Sequence, residues 1–103
     1  MLELQNSTSL EYILMENSIV VIDFFATWCP PCKMLSPIIE EFASSRDDVK
    51  VVKVNIDEYK SIADKYEIYA VPTIVFFKDN KEVKRHKGFL GISQLNEIVD
   101  SLK

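Results

Sequence analysis

The chain alternates short continuous apolar runs with longer stretches in which apolar residues recur every three or four positions. Ile19–Phe25 is β-branched or aromatic except for one acid, Asp23, which predicts a strand buried on both faces. The run stops at Ala26 and Thr27, ahead of Trp28, Cys29, Pro30, Pro31, Cys32 and Lys33. Leu35, Ile38, Ile39, Phe42 and Ala43 then fall at helical spacing. Pro30 and Pro31 suit a first helical turn, whose N–H groups have no intrahelical partner to lose, so this helix starts at Cys29. Pro37 lies inside it and predicts a bend.

The flanking pattern completes the set of elements. Residues 2–5 predict a short edge strand, and Thr8-Ser9-Leu10-Glu11 has the form of a capping box opening a helix that buries Leu10, Ile13 and Leu14. Residues 49–56 predict a second buried strand, interrupted by Lys53; Asp57 reads as the cap of a third helix with Tyr59, Ile62, Ala63 and Tyr66 on its apolar face. Residues 74–78 and 82–87 predict strands joined by a tight turn at Asp79 and Asn80, two residue types that tolerate left-handed backbone. Ser93 reads as the cap of a last helix with Leu95, Ile98, Val99 and Leu102 facing the sheet. The order βαβαβαββα implies an α/β fold: a mixed five-stranded sheet, parallel across the helical crossovers, with helices on both faces. No linker or repeat divides residues 1–103, which are expected to form one domain.

Composition removes several functions. The 103 residues, 48% hydrophobic, can build a core without staples. A net charge of −4 with no basic cluster argues against nucleic-acid binding. No apolar run reaches the length of a membrane span, and the opening residues lack the basic and apolar regions of a signal peptide, so the expected location is cytoplasmic. The two cysteines stand in C-x-x-C spacing. A zinc site needs two further ligands, and His86 is the only histidine, so no metal is expected. A structural disulfide would close too small a loop to constrain the unfolded chain. A redox pair is the remaining reading.

The chemistry of such a pair follows from its place between a buried strand and a helix. Free N–H donors and partial positive charge at a helix N-terminus favour a thiolate at Cys29, the expected nucleophile. Cys32, one turn on and on the same side, is the expected resolving thiol, placed to attack a sulfur joined to Cys29. Asp23 is expensive in a strand buried on both sides, and two readings stand: a structural salt bridge with Lys53, or a carboxyl that accepts the Cys32 proton. Pro72 is either an ordinary trans proline or part of the site. Gly88 either gives the site room or makes a turn. Trp28, Pro30, Pro31, Val71 and Pro72 would form an exposed apolar docking rim. Tyr66 and Tyr69 read as core or lid packing, and His86 as a solvated strand residue.

WCPPCK after an apolar strand containing an acid, with Lys53, Val71-Pro72-Thr73 and Gly88 following in order, resembles the thioredoxin family over essentially the whole chain. The resemblance implies the thioredoxin fold, a cis bond at Pro72 and a Val71 backbone turned toward the cysteines to pair with a substrate strand. It favours Asp23 as the proton acceptor, tuned by Lys53. It implies a monomeric protein disulfide reductase without cofactor, recycled by an NADPH-dependent thioredoxin reductase and acting on disulfide-bearing proteins. A disulfide oxidant or isomerase on the same fold, or a non-catalytic binding module, is the alternative. Two positions depart from the commonest family pattern. Pro30 replaces a glycine and leaves the sign of its effect on redox potential open, while Phe25 stands where many members have tryptophan and should alter packing only.

Overall fold

The computed structural model describes residues 2–3 and 7–103, with side chains from Ser9 onward. Elements follow in the order β1 (Leu2–Glu3), α1 (Ser7–Glu16), β2 (Ile19–Phe25), α2 (Pro30–Ser45), β3 (Lys50–Asn55), α3 (Lys60–Lys65), β4 (Thr73–Lys78), β5 (Lys81–Lys87) and α4 (Ile92–Ser101). The sheet order is β1-β3-β2-β4-β5, four full strands plus the two-residue β1 at one edge. β2 runs parallel to β3 and antiparallel to β4, so the strand carrying Asp23 is central.

Alternation along the strands sends two sets of side chains to opposite faces. Val20, Ile22 and Phe24 of β2 join Leu10, Ile13 and Leu14 of α1 and Ile62 and Ala63 of α3 in one core. Ile19 and Val21 join Leu35, Ile39 and Phe42 of α2 and Leu95 and Val99 of α4 in the other. Asp23, two residues beyond Val21, therefore belongs to the α2 face of the sheet. The expected hairpin turn is present, with Asp79 and Asn80 both at positive φ, 49° and 66°. A register irregularity between Phe76 and Phe77 interrupts the β4–β5 ladder. β5 is an edge strand carrying Lys81, Lys84, Arg85 and Lys87, charges that discourage pairing with another chain.

The helix starts differ from three sequence expectations. α1 begins at Ser7, so Thr8 falls inside the helix; its side chain, like residues 4–5 of the expected edge strand, lies outside the described residues. Asp57 does not cap α3, whose N-cap is Tyr59. The Asn55 side chain instead accepts from the N–H groups of Asp57 and Glu58, making the turn with the last residue of β3 and displacing the helix start. Ser93 lies inside α4, whose N-cap is Gly91; with no side chain there to accept from the first turn, the bond made is the reverse one, Gln94 Oε1 accepting from the Gly91 N–H at 3.0 Å.

Two arginines join elements. Arg46, just past α2, donates to both carboxylate oxygens of Asp48, to Asp100 at 2.8 Å and to Asn96 at 3.0 Å, fastening the α2–β3 connection to α4. Lys103 also pairs with Asp48. These cations hold the Asp48 carboxyl well below the usual carboxylate range. Arg85 of β5 donates to the carbonyls of Tyr66 and Glu67, closing the end of α3, while Glu82 neutralises it.

Candidate active site

Where β2 ends, the chain turns through residues 26–29 and enters α2 with Pro30 and Pro31 in its first turn. Cys29 is the N-cap, and the Cys32 N–H points at its sulfur, N to Sγ 3.2 Å. Cys29 and Cys32 are joined as a disulfide with Cα atoms 5.2 Å apart. Ala26 and the two cysteines form a small core of their own, covered by Phe25, Ile56 and Val71. The Val71–Pro72 bond is cis, and the Val71 carbonyl oxygen lies 3.6 Å from Cys29 Sγ. Thr73 Oγ1 donates to the Ala70 carbonyl at 2.6 Å and Gly88 N–H to the Pro72 carbonyl at 2.8 Å, fixing this segment from both sides.

Behind the disulfide lies a cleft of about 280 Å³ lined by Phe25, Ala26, Thr27, Cys32, Lys33, Ser36 and Lys53. Lys53 Nζ donates to Ser36 Oγ at 3.0 Å and sits 4.5 Å above the Phe25 ring. Asp23 is 1% exposed, and its Oδ1 has no hydrogen-bond partner. Burial raises its pKa from 3.8 to about 6, a rise that the positive charge of Lys53 opposes without cancelling. Asp23 and Lys53 are direct neighbours in the β2–β3 register, yet among the described residues no ion pair joins them. The structural salt bridge left open in the sequence is thus not among the ion pairs of the described residues; the ammonium contacts Ser36 and the Phe25 ring instead.

The family model described as Thioredoxin matches residues 1–101. The chain belongs to the thioredoxin family. It is 40% identical to thioredoxin of Mycoplasmoides gallisepticum over 99 residues, 96% of this chain and 99% of that one. It is 47% identical to thioredoxin-2 of Saccharomyces cerevisiae over 72 residues, covering 70% and 69% of the two chains. Among solved structures, Fasciola hepatica thioredoxin superposes with a TM-score of 0.91 at 37% identity, with both chains fully covered. Mitochondrial thioredoxin 3 of Saccharomyces cerevisiae, in its oxidised form, gives 0.89 at 34% identity, covering 99% and 95%. The fold is the thioredoxin fold, and the function is protein disulfide reduction through a Cys29/Cys32 dithiol. Thioredoxins generally work with a thioredoxin reductase and with disulfide-bearing substrates. Among the described residues no helix is long and apolar enough to cross a membrane.

Against this thioredoxin frame, the structure brings Asp23, Lys53, Cys29, Cys32, Val71 and Pro72 to one end of the sheet. Trp28 is 64% exposed beside Pro30 and Pro31, which are also exposed. Three sequence expectations change. Pro72 is buried rather than part of an exposed rim, because it leads directly into β4 between the ends of β2 and β5. Gly88 is not there to make room: a Cβ would meet nothing within 4 Å, and its φ of +100° is what requires glycine. Tyr69 packs into neither core nor lid and is 81% exposed, whereas Tyr66 packs against Phe24 and Phe77. His86 Nε2 lies 3.2 Å from the Phe89 carbonyl oxygen on the half-buried part of β5. Sequence reasoning missed Asp57 as a site residue; its carboxylate accepts from Trp28 Nε1 at 2.9 Å and so fixes the exposed indole. It also missed Ser36, whose only signal is a small polar residue one helical turn after Cys32.

Proposed function

We propose that this thioredoxin is a single-domain, monomeric, cytoplasmic dithiol carrier that is recycled by an NADPH-dependent thioredoxin reductase. The carrying observation is the Cys29–Cys32 pair at the first turn of α2, with the Cys32 N–H directed at Cys29 Sγ. In the reduced protein that N–H and the helix N-terminus favour a Cys29 thiolate, which attacks one sulfur of a substrate disulfide and expels the other as a thiolate. The Cys32 thiol then gives its proton to the Asp23 carboxylate and attacks Cys29 Sγ in the mixed disulfide. The second substrate thiolate leaves; the substrate has gained two electrons and the Cys29–Cys32 disulfide has formed. The reductase returns the two electrons from NADPH.

Substrate docks on Trp28, Pro30, Pro31 and the Val71 backbone, an apolar rim beside a main-chain segment to which an extended chain can add as a strand. A reducing compartment suits such a carrier, since its disulfide must be transient. Cys32→Ser should trap substrate proteins as mixed disulfides on Cys29, and Cys29→Ser should trap little. Equal capture by the two variants refutes the assigned roles. Turnover of a disulfide-bonded protein with NADPH and thioredoxin reductase, followed as NADPH loss, tests the carrier reading; no turnover together with a strongly oxidising potential would favour a disulfide oxidant.

A further inference from the structure

Lys53 and Asp23 stand side by side on adjacent parallel strands, facing the same side of a sheet whose strands are about 4.8 Å apart. An ammonium and a carboxylate so placed would ordinarily pair. Here the ammonium is held elsewhere by two contacts, the Ser36 hydroxyl at 3.0 Å and the Phe25 ring at 4.5 Å, and Asp23 Oδ1 is left without a partner. Ser36 lies one turn beyond Cys32 on α2, so both line the same cleft.

We propose that Ser36 is a positioning residue whose hydroxyl holds the Lys53 ammonium on the helix side of the cleft, away from Asp23, and so keeps that carboxyl able to take the proton of Cys32. The inference rests on the reading of Asp23 and Cys32 given above. Released from Ser36, the lysine side chain reaches its register neighbour and stabilises the carboxylate, which then holds a proton less firmly and becomes a weaker base. Among the described residues, Lys53 is the one charge found to act on Asp23. β4 places Ile74 opposite Asp23, α4 brings Leu95 and Val99 to this side of the sheet, and α2 contributes Cys32 and Ser36, with Lys33 at the exposed mouth of the cleft. Lys53 is the charge that acts on Asp23 and pulls against the effect of burial.

The test follows the Asp23 carboxyl by ¹³C NMR through a pH titration of the oxidised protein, in the parent, Ser36→Ala and Ser36→Thr. Ser36→Ala should lower the midpoint by about one pH unit, the size expected when an opposite charge closes to hydrogen-bonding range. Ser36→Thr keeps a hydroxyl and should titrate as the parent does. In a Lys53→Met background Ser36→Ala should change nothing. A parental midpoint in Ser36→Ala, an equal fall in Ser36→Thr, or a fall that persists without Lys53 overturns the tether. The second readout is the pH profile of resolution, measured as decay of a preformed mixed disulfide on Cys29. In Ser36→Ala its acid limb should move down with the carboxyl midpoint and its plateau should fall. A limb that ignores the carboxyl in both proteins overturns the proton-acceptor role of Asp23, and an unmoved carboxyl overturns that of Ser36.

Discussion

Replacing Asp23 with asparagine should make the oxidised protein more stable at alkaline pH. The carboxyl is 1% exposed with an unpartnered oxygen, and burial lifts its pKa from 3.8 to about 6. Between those values the native state holds a proton that the unfolded chain has released, so stability falls as pH rises through the window. At about 1.4 kcal/mol per pH unit, the penalty reaches about 3 kcal/mol above pH 7 and is only about 0.5 kcal/mol at pH 4. Asparagine has nearly the same shape and cannot ionise. The variant should therefore exceed the parent by about 3 kcal/mol at pH 8, with the gap nearly closed at pH 4. Asp48, whose carboxyl is held low by Arg46 and Lys103, titrates in both proteins and cancels from the difference. Denaturant melts of the two oxidised proteins at both pH values measure the gap. A gap that fails to widen with pH would refute burial as the dominant influence on Asp23, and a variant less stable than the parent at pH 8 would mean that Lys53 pairs with the carboxylate after all.

Arg46→Ala removes the contacts to Asp48, Asp100 and Asn96 and should cost roughly 1 kcal/mol near neutral pH, since the carboxylate partners are substantially exposed. Because the Asp48 carboxyl is depressed in the folded protein, its share of that loss is present above the unfolded carboxylate range and fades as pH falls below it, which melts at pH 7 and pH 2.5 would show. Gly88→Ala should cost about 1–2 kcal/mol through backbone conformation alone, because its φ of +100° disfavours any side chain although the space for one is open; an unchanged denaturant midpoint would contradict this.

The elements were legible because their periods are clean: β2 is apolar at nearly every position, and α2 and α4 keep a three-and-four spacing. What escaped the sequence was local competition for backbone donors. Asp57 looks like a helix cap until Asn55, two residues earlier, takes the N–H groups of the turn and leaves the aspartate to Trp28. Ser93 has the right chemistry for a cap, but Gly91 occupies that position and Gln94 closes it. The cysteine pair was legible from spacing and position. The state of Asp23 was not, since it depends on where a flexible lysine places its charge, and a serine on a different element decides that. Nor did the sequence signal how far the nucleophile would be covered: Cys29 is 3% exposed, with Phe25, Ile56 and Val71 packed against the cysteine cluster.

That cover separates which disulfides this protein is able to reduce from which ones it reaches quickly. Redox potential fixes the direction of exchange with every thiol in the surrounding pool alike. Access does not treat them alike. With Cys29 at 3% and Cys32 at 5% exposure, a small thiol or disulfide finds little open surface at the cysteines and is too small to make many contacts of its own there. In the docking mode proposed above, a polypeptide laid along Val71 would gain main-chain hydrogen bonds as it approaches, offsetting the cost of uncovering the sulfurs. Electrons held on the Cys29–Cys32 pair can thus pass preferentially to proteins, with selectivity written into rates and absent from equilibria.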